Sequence, residues 1–311
     1  EDTGNTEDTE DTEDTAEYTC PDGAEITISN TYPTSGASNF YILDNIEVTL
    51  SAEDPSAVLS LTGPEGEVTG SSVVNGTKVW TSTAQVAKKV LLLTRTTDVE
   101  DVRKPTEGLT LFYTDLDRNA VEIREIDKMG RKAVDTNVLF IDGLKIPIED
   151  RIGEEGMGFR YILDGMNPER ILIAAEAIGL GRAALHRATQ YAKDRVVFGR
   201  PIGKNQGIQH PLAKCWAELE AANLMTMKAA ALFDSGQPCG PEANAAKYLA
   251  AEAGYEACQT AIMTHGGFGY AKEYQVERYL REVMITRIAP ISPQLVLSFL
   301  AEKVLGLPKS Y

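Results

Sequence analysis

"NPERILIAAEAIGLG", residues 167–181, is the stretch on which the fold of this chain turns. Asn167 reads as an N-cap, Pro168 suits a first helical position, and Ile171, Ala174, Ala175 and Ile178 recur at helical spacing. The stretch therefore predicts the start of a buried helix. Glu169 and Arg170 stand at the edge of its apolar face. An acidic side chain in a first turn is favoured by the helix dipole, so on these residues alone Glu169 needs no function.

Downstream the helical period persists. Amphipathic segments run roughly over 167–195, 204–235, 241–265, 272–286 and 292–305, broken by "DSGQPCGP" and "HGGFGY". Long helices on short loops predict an antiparallel bundle of the four-helix type. Upstream the period is two: "VVNGTKVW", "KKVLLLTR", "LTLFYTDL", "VEIREI" and "TNVLFIDGLKIP" are strand-like runs between Gly, Pro and Asp turns. The fold class is α+β, a strand-rich N-terminal part followed by a C-terminal helical bundle.

Charge divides the chain at another place. The net charge of −16 belongs to residues 1–70, which hold 17 acidic and no basic residues, whereas 71–311 are nearly neutral. Residues 1–16 open with an acidic low-complexity repeat that buries nothing and predicts disorder. Residues 17–72, with strand-like runs at 24–29, 39–50 and 57–61, predict a small β module without recognisable chemistry. The remaining parts are 73–152 and 153–311.

Several classes are excluded or disfavoured. No uninterrupted apolar run approaches the roughly 18 residues of a membrane span. Cys20, Cys215, Cys239 and Cys258 lack CxxC spacing and read as reduced thiols of a cytoplasmic protein. His186, His210 and His265 have no partners at metal spacing, so no metal is expected, and a balanced body does not fit nucleic acid. "GEEGMG" and "HGGFGY" open no βαβ unit, so they read as helix stops and not as phosphate loops. The chain does not begin with Met, which points to processing, truncation or an incomplete gene model.

Five motifs remain, in order: "NGTKVWTS" (75–82), "GEEGMGF" (153–159), "ERILIAAEAIGLGRAAL" (169–185), "DRVVFGRPIGKNQGIQHPLA" (194–213) and "THGGFGYAKEYQVERYLRE" (264–282). On these, Val73 to Tyr311 resembles the acyl-CoA dehydrogenase family, over part of its middle β domain and its C-terminal helical domain. The resemblance implies FAD between the two domains and oxidation of an acyl-CoA to the trans-2-enoyl-CoA. It also implies electrons passing to an electron-transfer flavoprotein, and a homo-oligomer (dimer or tetramer) in which one flavin site uses two subunits.

Carried over residue by residue, Trp80 and Ser82 match the pair that holds the isoalloxazine ring. Arg195, Phe198 and Gln206 match residues reaching the adenosine-diphosphate half of a neighbour's flavin. Gly266 and Gly267 match the backbone approach to it, and Met263 stands where the family often has Gln. Read without the resemblance, Trp80 and Phe198 are equally core aromatics, Arg195 a solvated helix end and Arg170 a partner for a nearby acid. The family's usual base is a Glu before the last helix. Here "RIAPISPQ" (287–294) puts Pro290, or by a one-residue slip Ala289, at that position, and neither takes a proton. A minority of the family places Glu beside Arg at the start of the first long helix, so the resemblance makes Glu169 the base and Arg170 its electrostatic neighbour.

The family's N-terminal helical domain and its TEPxAGSD-like motif have no counterpart in residues 1–70, and "LTGPEGEVTG" (61–70) is a faint echo. An alternative is a non-catalytic helical-bundle subunit, or one completed by a partner. An oxidase of the same family is a second.

Overall fold

Two hydrophobic periods make two layers of structure. In a computed structural model the described residues are Glu17–Thr19, Glu25–Thr27 and 71–310, and the chain divides into units Glu1–Tyr41 and Ile42–Tyr311. In the first unit β1 (Glu17–Thr19) pairs antiparallel with β2 (Glu25–Thr27), Tyr18 opposite Ile26. The acidic repeat, Cys20, the runs at 39–50 and 57–61 and the 61–70 segment lie outside the described residues.

The β part of the second unit is a pair of three-stranded antiparallel sheets. One has the order β3-β7-β6, built from Ser71–Ser82, Thr136–Pro147 and Val121–Glu125. The other has the order β4-β5-β8, from Lys89–Arg95, Leu109–Asp115 and Arg151–Ile152. Alternation decides what faces inward: β7 buries Asn137, Leu139 and Ile141, slips by one at Asp142–Gly143, then buries Leu144 and Ile146. Leu139, Ile141, Leu144 and Ile146 pack with Leu92 and Phe112 of the other sheet and with Leu116 and Val121 into one core.

The helical part consists of α1 (Gly158–Asp194), α2 (Gln206–Asp234), α3 (Gly240–His265), α4 (Val276–Ile288) and α5 (Pro293–Phe299). Central α3 packs on α1, α2 and α4. Small side chains let the axes approach closely. Ala174, Ala177, Ala184 and Ala188 of α1 meet Ala246, Ala250, Ala253, Ala257 and Ala261 of α3 in one core. A Cβ added to Gly254 would lie 2.5 Å from the Ala177 carbonyl oxygen. Cys215, Cys239 and Cys258 are free and buried, and burial pushes the Cys258 thiol up to about 12.

Three expectations need correction. First, Asn167 is no N-cap: α1 begins at Gly158, and Pro168 lies inside it. A proline in mid-helix removes one backbone donor, and a helix this long retains its others. The dipole account of Glu169 falls with the cap, since its first turn is well upstream; Ala175, placed on the apolar face, is exposed. Second, "GEEGMG" is no helix stop but a seat for the start of α1. Gly156 N–H donates to Thr110 Oγ1 at 2.8 Å, and buried Gly158 lies so close to β5 that a Cβ would come 2.5 Å from Leu111 N. "HGGFGY" is a stop, with Gly266 at φ +61° capping α3. Third, Val276–Val304 is long and apolar enough, by length and composition, to cross a membrane, and little of it is buried. Counting unbroken apolar runs missed it. The stretch is broken at Ala289–Ser292, where main-chain polar groups leave the helix, an arrangement unsuited to lipid contact.

A loop fastens the β part to the bundle. Between β6 and β7, Arg131 N–H donates to Glu282 Oε2 at 2.9 Å on α4, and its guanidinium pairs with Glu176 on α1. Arg281 Nη1 donates to the Met129 carbonyl at 3.2 Å.

Candidate functional site

Trp80 is placed by a defect in an otherwise regular ladder. On β3, Val79 faces Val138 and Thr81 faces Asn137, so Trp80 is the extra residue of a β-bulge. Its φ is +67°, in the left-handed region that a bulky residue adopts only under constraint, and 67% of it is exposed. Such strain concentrates at functional positions. Trp80 is thus not the core aromatic that its strand position permits.

Beside it lies a cleft of about 250 Å³ between β3 and β4, lined by Lys78, Trp80, Ser82, Leu92 and, from α1, Ile162. Lys78 Nζ donates to the Leu93 carbonyl at 2.6 Å, tying one sheet to the other, and burial lowers its pKa. The Ser82 hydroxyl makes no hydrogen bond to a described residue and is available to a ligand.

Ile162 fixes the orientation of α1. Residues seven apart share a helix face. From Ile162, which lines the cleft, the face continues to Glu169 and then to Glu176, which holds Arg131 of the β part. Glu169 therefore sits on the stripe facing the β sheets, about 10 Å along the axis from each neighbour. Its carboxylate is half-buried and has neither hydrogen bond nor ion pair among the described residues. Burial raises its pKa, and the adjacent Arg170 pulls it part of the way back. An unpaired, half-buried carboxylate about two turns of α1 from a cleft-lining residue marks a candidate for proton transfer. Arg170 reaches back along the helix: Nη1 donates to Asn167 Oδ1 at 3.0 Å, while its buried Nε has no partner among the described residues.

The remaining candidates gather at the far end of α1. Arg195 ends the helix, with its guanidinium 5.6 Å from the Phe268 ring. β9 (Val196–Val197) and β10 (Arg200–Pro201) form a hairpin whose tip is Phe198 and Gly199, at φ +52° and +76°. Positive φ at both tip residues is the type I′ geometry, and Phe198 is completely exposed, so it is no core anchor. Gln206 opens α2 and is exposed. A Cβ on Gly266 or Gly267 would meet no atom of the described residues within 4 Å, so none of them demands glycine at 267. Ile162 and Asp194 are about 48 Å apart along α1. The structure brings Trp80, Ser82 and Glu169 to one end, and Arg195, Phe198, Gly266 and Gly267 to the other.

Sequence reading missed Lys247, which is 1% exposed on α3. The available signal was its spacing, since Ala243, Ala250 and Gly254, all buried, share its face.

Comparison with known proteins gives the arrangement a family. Residues 52–144 match the acyl-CoA dehydrogenase middle domain, and residues 156–290 the acyl-CoA dehydrogenase C-terminal domain. The chain belongs to the acyl-CoA dehydrogenase family. Acyl-CoA dehydrogenase fadE12 of Mycobacterium bovis is 38% identical over 248 residues, covering 77% of this chain and 61% of that protein. Butyryl-CoA dehydrogenase from Megasphaera elsdenii superposes with a TM-score of 0.71 at 31% identity, over 79% of this chain and 67% of that one. The glutaryl-coenzyme A dehydrogenase glutaryl-CoA complex does so at 0.72 and 32%, over 76% and 60%. The chain thus spans about three fifths of the length of curated acyl-CoA dehydrogenases that it matches. Trp80 and Ser82 fall in the middle-domain match; Glu169, Arg170, Arg195, Phe198, Gln206, Gly266 and Gly267 fall in the C-terminal one. The middle-domain match begins upstream of the charge junction and takes in residues 52–72.

Proposed function

We propose that this chain takes part in oxidation of an acyl-CoA to its trans-2-enoyl-CoA, with Glu169 as the base that removes the α-proton. The observation that carries the reading is the unpaired Glu169 carboxylate on the α1 face shared with the Trp80 cleft, while residues 287–294 hold no carboxylate.

The thioester α-proton is far too weakly acidic for a carboxylate in water. Partial burial makes Glu169 a stronger base, and Arg170 offsets part of that rise by favouring the ionised form. The exposed Trp80 ring and the free Ser82 hydroxyl fit a planar, hydrogen-bonding ring system such as flavin, offering one apolar face and one polar edge. FAD, when bound there, supplies the acceptor for the hydride from the β-carbon, and an electron-transfer flavoprotein then takes the electrons. Pro290 has no N–H to offer a developing thioester oxyanion, so this chain's help to that charge comes from elsewhere in the site.

Two ends of a helix about 48 Å apart cannot grip one cofactor. The reading is therefore of a homo-oligomer, in which Arg195, Phe198, Gln206 and the Gly266–Gly267 turn face a second copy's Trp80 cleft. An exposed apolar stripe of Trp216, Leu224 and Met227 on α2 supports such association.

The test is Glu169→Gln. Expected is unchanged quenching of tryptophan fluorescence by added FAD, with loss of α-proton exchange from acyl-CoA; retained exchange refutes Glu169 as base. Absence of any FAD quenching in the unsubstituted chain would favour the alternative of a partner-completed subunit.

A further inference from the structure

Lys247 is the largest fully buried side chain among the described residues. Lysine is seldom buried without a carboxylate in contact, because the ammonium loses its hydration. Here Nζ touches main chain instead: it donates to the Ile291 carbonyl at 2.6 Å and to the Arg287 carbonyl at 3.2 Å. The charged groups around it are Arg170 on α1, Arg287 on α4 and Glu252 on its own helix. Glu252 is occupied by the Arg287 guanidinium, at 2.8 and 3.0 Å. Among the described residues three cations thus share one committed carboxylate; burial pushes the Lys247 pKa down to about 8, with Glu252 opposing and Arg170 and Arg287 adding to the fall.

The two carbonyls belong to the end of α4 and to the turn through Pro290 that leads into α5. That turn is the place from which the resemblance would bring a base, and it has none. Arg170 is within electrostatic reach of the same ammonium, and its buried Nε has no partner among the described residues. One buried cation therefore acts on both the turn and the neighbour of Glu169.

We propose that Lys247 is a positioning residue. By pinning the Arg287 and Ile291 carbonyls to α3 it holds the Pro290 turn as a fixed wall, and its charge keeps Arg170 turned toward Asn167 and Glu169. The first half stands on geometry alone; the second rests on Glu169 being the base.

The test compares Lys247→Met, nearly equal in length and uncharged, with Lys247→Arg in the full chain. Amide hydrogen exchange should show residues 287–296 losing protection by about tenfold or more in K247M, with α2 unchanged and K247R close to the parent. Equal loss of protection everywhere, or none in the turn, overturns the clamp. Should K247M fail to fold, K247Q, a donor without charge, is read in the same way. The acid limb of the pH profile for α-proton exchange should move to higher pH in K247M and return in K247R; an unmoved limb overturns the electrostatic half. E169Q run alongside separates the two ideas. If E169Q still exchanges the α-proton, the base assignment fails, while the exchange map of the turn still decides the clamp.

Discussion

Two aromatic residues hold backbone conformations that their side chains disfavour. Trp80 and Phe198 both have positive φ and both are exposed, so neither is repaid by burial. At Phe198 the prediction is direct. Glycine adopts that conformation freely, so Phe198→Gly should leave thermal stability unchanged or raise it by about 1 kcal/mol. The same variant should lower the flavin-to-protein ratio after gel filtration. Glu169 poses the same trade in charge. Its folded pKa lies above the unfolded value, so ionisation is disfavoured in the folded state and stability falls as pH rises through that window. Glu169→Gln should therefore unfold at a higher temperature than the parent at pH 7, with the gain shrinking as pH falls below the usual carboxylate range.

Among the elements, the α1–α3 contact is the least forgiving. Gly254→Ala would force a methyl against the Ala177 carbonyl oxygen, and about 1–3 kcal/mol of stability should be lost in chemical denaturation, where Gly267→Ala should lose little. The strands were legible because alternation and turn residues agree: the five runs downstream of Val73 are β3 to β7. α1 was legible as a helix and not in its start, since "NP" carries a strong first-turn signal that packing on β5 overrides. Trp80 and Phe198 were legible as family positions only. Their exposure comes from one extra residue in β3 and from a two-residue turn, neither of which periodicity reveals. Lys247 was hidden for the opposite reason, because lysine on a helix is ordinarily read as solvated surface.

At the scale of the molecule, the separation of the two groups of residues governs behaviour. If each flavin is gripped by both ends, dilution that separates the copies should release it. Flavin fluorescence should then rise as protein concentration falls through the dissociation range measured by analytical ultracentrifugation; tight retention by a monomer would contradict the shared site. The Arg131 loop has a part in this, since its bonds to Glu176 and Glu282 tie the sheets to α1 and α4.

A helix with unlike ends has a genetic corollary. Two defective copies, one spoiled at Trp80 and the other at Phe198, would each be inactive in pure form. Mixed, they would rebuild one sound half of every hybrid pair, because the intact tryptophan of one meets the intact phenylalanine of the other. Two harmful alleles carried together would then be milder than either alone.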